Sequence, residues 1–188
     1  MTTCSFHATK LFHTVEGGCI ISDNDELKKK LSLYRSFGHI ADDYHSVGIN
    51  GKNSEFHAAM GLAVLPQVPA IIAERKIIFE TYNALMPGCI RRPSYHLAGF
   101  EYNYSYYPVI FESEKLMQSA KEALQKNNVH ARRYFYPSLN LLPHISGIKT
   151  SCPISEDISS RILCLPLYPG LQESEIAMIV SVIINSIK

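Results

Sequence analysis

The sequence has no tryptophan, no marked excess of either charge, and no paired cysteine motif. Lysine and arginine number 18 against 17 acidic residues, for a formal net charge of +1. That balance argues against a nucleic-acid partner or an anionic membrane as the main electrostatic target. The small clusters Lys28-Lys29-Lys30 and Arg132-Arg133 read as solvated faces. The five cysteines, Cys4, Cys19, Cys89, Cys152 and Cys164, are odd in number, scattered and without CxxC spacing. We therefore expect reduced thiols and a cytoplasmic location, with neither a disulfide framework nor a zinc site. Met1-Thr2-Thr3-Cys4 lacks the basic and apolar regions of a signal peptide. The most apolar run, Ile176 to Ile187, falls short of the roughly 20 residues a spanning helix needs, so no membrane association is expected. His13, His39, His45 and His57 have no metal-ligand spacing and are expected to be structural or surface residues. GxGxxG, a phosphate loop and a nucleophile elbow are all missing.

What is present is an ordinary globular composition, 46% apolar and 19% charged, with regular patterns from the start. Cys19 to Ser22 reads as a buried strand after the Gly17-Gly18 turn. Asp23 with Glu26 makes a plausible cap for a helix through Arg35, with Leu27, Leu31 and Tyr34 on one face. Residues 37–52, rich in Gly, Asp, His and Asn, read as a long loop of the kind that often carries function. A helix starts at Ser54; Pro66 and Pro69 break or kink it, and it resumes to Pro87-Gly88. Tyr104 to Phe111 is β-prone, with Pro108 implying an edge position or a bulge. Ser113 caps the next helix. Val129 to Tyr136 and Ile162 to Leu165 read as strands, and a last helix runs from about Gln172. The boundaries that follow are 1–86 and 87–188, the second a small α+β lobe.

The informative segment is Ser5-Phe6-His7-Ala8-Thr9-Lys10, followed by Glu16-Gly17-Gly18. A lysine condenses with an aldehyde only as the free amine, so a partly buried setting suits that chemistry. A hydroxyl five residues earlier, Ser5, can hydrogen-bond a phosphate. Taken alone, a lysine is more often a surface charge.

The string SFHATK followed by EGG resembles the Schiff-base motif of the DegT/DnrJ/StrS nucleotide-sugar aminotransferases. Gly48-Ile49-Asn50-Gly51-Lys52-Asn53-Ser54-Glu55-Phe56-His57-Ala58-Ala59 resembles the family's Gly-x-Asn stretch opening the long helix. Leu165-Pro166-Leu167-Tyr168-Pro169 resembles its C-terminal lobe. The resemblance covers essentially the whole chain.

It implies the fold of PLP-dependent transferases of type I: the end of a large α/β domain, then a small α+β C-terminal domain. Lys10 would carry pyridoxal 5'-phosphate (PLP) and act as the proton-transfer base. Ser5 would bind the cofactor phosphate. Asn50 would reach the phosphate in a neighbouring subunit, implying a homodimer, with Lys52 or Asn53 as alternatives; Lys52 stands where many relatives have arginine. Tyr136 would lie near the sugar, the alternative being a core or strand aromatic. His7 is open between cofactor contact and a structural part. Related sugar dehydratases carry His at the Lys10 position, so the lysine favours transamination, with an amino acid such as glutamate as donor and a keto sugar nucleotide as acceptor. In the family, residues before the lysine motif supply the carboxylate that keeps the pyridine nitrogen protonated. The chain is therefore expected to be a truncated one that does not hold PLP stably or catalyse alone. It should expose apolar surface over residues 1 to about 66 and self-associate. The alternative, from another class, is a non-catalytic interaction or oligomerisation module.

Overall fold

A computed structural model describes residues 1–95, 98–145 and 150–187. It is a mixed α/β chain that divides into two compact units, Met1–Ile71 and Ile72–Lys188. The boundary read from the sequence, after residue 86, follows the end of a helix. Packing instead divides the chain within that helix, because its apolar side chains Ile78, Phe79 and Tyr82 are buried with the residues that follow.

In the first unit, β1 (Thr2–Ser5) and β2 (Gly18–Ile21) form an antiparallel hairpin with Cys4 opposite Cys19 and Ser5 opposite Gly18. Burial, then the Cys4 thiol beside it, pushes the Cys19 thiol up. All five cysteines are free. The first strand escaped the sequence reading, since Thr2-Thr3-Cys4-Ser5 has no apolar alternation. Helix α1 (Asp25–Arg35) is capped by Asn24 rather than Asp23, whose place the pattern suggested; the Leu27 N–H donates to Asn24 Oδ1 at 2.9 Å. Lys28 and Lys30 pair with Asp25 and Glu26 on an exposed face, as expected of a solvated cluster.

The stretch expected to be a loop contains a short hairpin, β3 (His39–Ile40) with β4 (Asp43–Tyr44). Its far end pairs back onto the end of α1: the Ile49 and Gly51 N–H groups donate to the Tyr34 and Arg35 carbonyls, and Asn50 bridges Ser36. Helix α2 (Glu55–Val64) starts at a capping box made by Ser54 and His57. Pro66 ends it as expected, through a 3-10 turn at Leu65–Gln67, before α3 (Val68–Leu85). The run Glu55–Leu85 contains an 18-residue window of mean hydropathy 1.6, of which 6% is buried. By length and composition it could cross a bilayer, a length that the sequence reading had divided at the prolines.

The second unit has β5 (Tyr107–Ile110) antiparallel to β6 (Ile162–Leu165), with isolated bridges from Arg91 to Ile110 and Arg132 to Cys164 on the outer sides. The Phe111 N–H donates to Arg161 and the Ile110 N–H to Arg91. Pro108 therefore stands where an N–H would point away from β6, so its missing donor costs the pairing nothing. Val129 to Tyr136 is not a strand. Only Arg132 pairs, after which the chain turns towards a 3-10 segment at Leu139–Leu141. Helices α4 (Glu114–Lys126), α5 (Pro153–Arg161) and α6 (Glu173–Ser186) complete the unit, α4 packing on α5, α6 and β6. Ser113 caps α4, and Ile176, Ile179, Val180 and Ile183 of α6 are buried, as the spacing predicts. The polar α5 has too few apolar residues to be read from periodicity. Phe79 takes Tyr95, Tyr102, Tyr104 and Tyr107 edge-to-face around it at 4.9–5.6 Å.

Candidate active site

Lys10 lies in the loop of residues 6–17, which the β1–β2 hairpin closes. The Phe6 N–H donates to the Gly17 carbonyl, extending the ladder by one pair, and the Phe6 carbonyl accepts from Thr14. Phe6 and Phe12 meet edge-to-face at 5.0 Å. Between them the chain makes a tight turn, in which the Lys10 N–H donates to the His7 carbonyl at 2.9 Å. Thr14, one of the few buried polar residues, donates through Oγ1 to the Glu16 carbonyl at 2.6 Å. This brace holds Val15 at φ 68°, a left-handed conformation costing a β-branched residue about 1–3 kcal/mol.

The two motif blocks meet at a glycine. A Cβ on Gly17, at φ +147°, would lie 2.5 Å from Thr14 Oγ1 and 2.9 Å from Asn53 Nδ2. Only a residue without a side chain lets the 48–54 segment approach the lysine loop this closely. A third contact comes from α2, whose one buried residue, Gly61, would place a Cβ 3.0 Å from Thr14 Cγ2 and 3.7 Å from Phe12. The Glu-Gly-Gly and Gly-Ile-Asn-Gly-Lys-Asn blocks are thus two walls of one site. Within it, Ser5 ends β1 with its Oγ accepting from the His7 N–H at 3.4 Å, so its own hydroxyl hydrogen is left to donate. Asn50 is exposed and held by the end of α1, while Lys52 lies over the Phe37 ring at 4.4 Å. Of the alternatives for the phosphate, Asn53 is the one whose side chain borders the loop.

Lys10 itself is exposed, so the partly buried setting that its chemistry favours is not supplied by its immediate neighbours. Its amine makes no ion pair or hydrogen bond among the described residues. A PLP fit can be judged at two ends. An uncommitted amine matches the aldehyde, and the Ser5 hydroxyl matches the phosphate. The residues present fit those ends of the cofactor. Among the described residues no cluster of His, Cys, Asp or Glu could hold a metal.

Tyr136, in the second unit, is neither core nor strand: it is 52% exposed. Its ring is stacked on Arg133, with the guanidinium carbon 3.5 Å from the centroid. Arg133 is no solvated charge, contrary to the sequence reading. It donates to the carbonyls of Ser159 and Ser160 and pairs with Glu114 at 3.0 Å. No spacing in the chain signals this, because α5 and the turn that bring these groups together have no apolar periodicity.

The model of the DegT/DnrJ/EryC1/StrS aminotransferase family matches residues 1–184. A dTDP-4-amino-4,6-dideoxy-D-glucose transaminase from Escherichia coli is 34% identical over 187 residues, covering 90% of this chain and 48% of that protein. The structure of the aminotransferase TlmJ from Streptoalloteichus hindustanus superposes with a TM-score of 0.89 at 23% identity, covering 98% of this chain and 51% of the other. Spr1654 from Streptococcus pneumoniae, solved in a PLP form, has a TM-score of 0.86 at 22% identity over all of this chain and 52% of its own. The chain spans about half the length of the relatives it matches.

Proposed function

Because the chain belongs to the DegT/DnrJ/EryC1/StrS aminotransferase family, we propose that it forms the lysine-bearing part of a PLP-dependent sugar aminotransferase. The observation that carries this reading is the meeting of the two motif blocks around Lys10, at Gly17 and Asn53. When bound, PLP supplies the electron sink that lets an amino group pass from an amino acid to a ketone. Lys10 Nζ holds the cofactor and, once released, accepts and returns a proton beside the reacting carbon. The Ser5 hydroxyl donates to the phosphate. Asn50, exposed on the outer wall, serves the phosphate of a neighbouring subunit in a homodimer, and Asn53 keeps the wall against the loop. Tyr136, with one face on Arg133, offers the other to the sugar. The donor is glutamate and the acceptor a keto sugar nucleotide, a class supported by the name of the Escherichia coli relative. We place the protein in the cytoplasm, without a membrane or nucleic-acid partner.

A second reading has its own support. Val47, Phe56 and Leu62 are 87%, 88% and 74% exposed, apolar side chains left for a protein partner to cover. On that reading the chain is an interaction or oligomerisation module without turnover. Incubation with PLP, glutamate and a panel of keto sugar nucleotides separates the two. Turnover that disappears in Lys10→Ala supports the enzyme; a folded chain that stays silent across the panel supports the module.

A further inference from the structure

We infer that His7 is a positioning residue for Lys10, whose imidazole fixes the turn that presents the amine. The inference rests on the aminotransferase reading for what Lys10 does, and on the geometry for what His7 does.

Four atoms of this one residue are engaged. Its backbone N–H donates to Ser5 Oγ at 3.4 Å, and its carbonyl accepts from the Lys10 N–H at 2.9 Å. Its ring Nδ1 accepts from the Thr9 N–H at 3.2 Å and lies 2.9 Å from Thr9 Oγ1. Its Nε2 lies 3.6 Å from Glu16 Oε1, on the returning arm of the loop. A nitrogen that accepts from a backbone N–H carries no proton. The tautomer assigned by these contacts is therefore the neutral ring protonated at Nε2, with that N–H facing the carboxylate.

The contacts differ in weight. The His7 and Glu16 side chains are 48% and 67% exposed, and a 3.6 Å contact that open to water contributes little. The Nδ1 contact is local, reaching the N–H two residues on, and it sets the backbone direction entering Lys10. Residues 7–10 are all exposed, so the turn they make serves no core. What the bond shapes is the presentation of Lys10, with Ser5 on the other side of the same residue.

The chemistry yields a discriminating pair of variants. In His7→Asn the side-chain oxygen occupies the place of Nδ1, and asparagine readily accepts from the N–H two residues on. His7→Gln reaches instead towards the place of Nε2. Two readouts are taken on the full chain: amide exchange at Thr9 and Lys10, and the share of PLP captured at Lys10 by borohydride relative to Lys28–Lys30. We expect exchange in His7→Ala and His7→Gln to quicken about 3- to 10-fold, the worth of one hydrogen bond, with the Lys10 share falling several-fold. His7→Asn should match the wild type in both, and Glu16→Gln should leave exchange at Thr9 and Lys10 within about twofold. Unchanged exchange in His7→Ala, or rescue by Gln as good as by Asn, overturns the inference. Capture by the wild type without preference for Lys10 counts instead against the aminotransferase reading, and the exchange rates still decide the part played by His7.

Discussion

The two units of this chain are built on different principles. Every member of the buried apolar cluster, from Ile78 to Ile183, belongs to the second unit. The first unit buries a threonine and two glycines, Thr14, Gly38 and Gly61, and leaves Tyr44, Val47, Phe56 and Leu62 to solvent. The second is held by area removed from water; the first is held by hairpin bonds, caps and close backbone approaches. The residues proposed to hold the cofactor stand in the unit without a core. A site of that kind is shaped locally, and it gains rigidity from whatever its exposed apolar side chains come to rest on.

The contrast can be broken most severely at Leu163, which is fully buried in β6. Leu163→Ala should destabilise the second unit by roughly 2–5 kcal/mol, measured by urea unfolding. The exchange of amides in β1 and β2 should follow only if the units unfold together. The reciprocal change is Gly18→Ala, whose Cβ would lie 2.7 Å from the Cys4 carbonyl oxygen. A backbone atom cannot step aside as a side-chain tip can, so β1 must shift. We expect a cost of about 1–3 kcal/mol in the hairpin, read as faster exchange there, with unfolding of the second unit unaltered.

Titration sharpens the same comparison. Burial pushes the Cys164 thiol up from 9.0 to about 11 and the Tyr107 hydroxyl from 10.0 to about 12. Groups held protonated by the fold contribute stability that is intact below their ordinary values and declines as the pH rises through the folded ones. The second unit should therefore hold its stability up to about pH 9 and lose it between there and pH 12. On the acid side, hydrogen bonds from the Cys152 N–H and then Asn140 hold Glu156 below its ordinary 4.5. That contribution is present above 4.5 and fades as the pH falls through the lowered value. Unfolding midpoints measured across this range check both limbs. The smallest effect belongs to the surface: Phe56→Ser should shift stability by less than about 0.5 kcal/mol, while reducing self-association in sedimentation velocity.

How much of this was legible in the sequence follows the same division. Helices with a buried stripe, such as α4 and α6, stood out because apolar residues recur at helical spacing, and Ser54 and Ser113 announced their helices as caps. Helix α5 did not, because its hold comes from Glu156, Asn140 and Arg133 rather than from apolar spacing. The expected strand over residues 129–136 shrank to one bridge at Arg132, since β propensity does not say whether a partner edge is free. Lys10, Ser5 and Asn50 are candidates that only the motif singles out. The contact between Gly17 and Asn53, and the weight borne by His7, depend on residues far apart in the chain or on ring nitrogens, and no periodicity reports those. Tyr136 was named from the resemblance alone, and Arg133, on which its ring stacks, was taken for a surface charge.

The proposal that Lys10 is the cofactor lysine is open to reductive capture. The folded protein is incubated with PLP, reduced with borohydride, digested, and the modified lysines are quantified by mass spectrometry. Lys10 should be labelled in preference to Lys28, Lys29, Lys30 and Lys52, and Lys10→Ala should leave no lysine favoured while urea unfolding of the second unit is unchanged. Equal labelling of Lys10 and the surface lysines in a folded chain would contradict it.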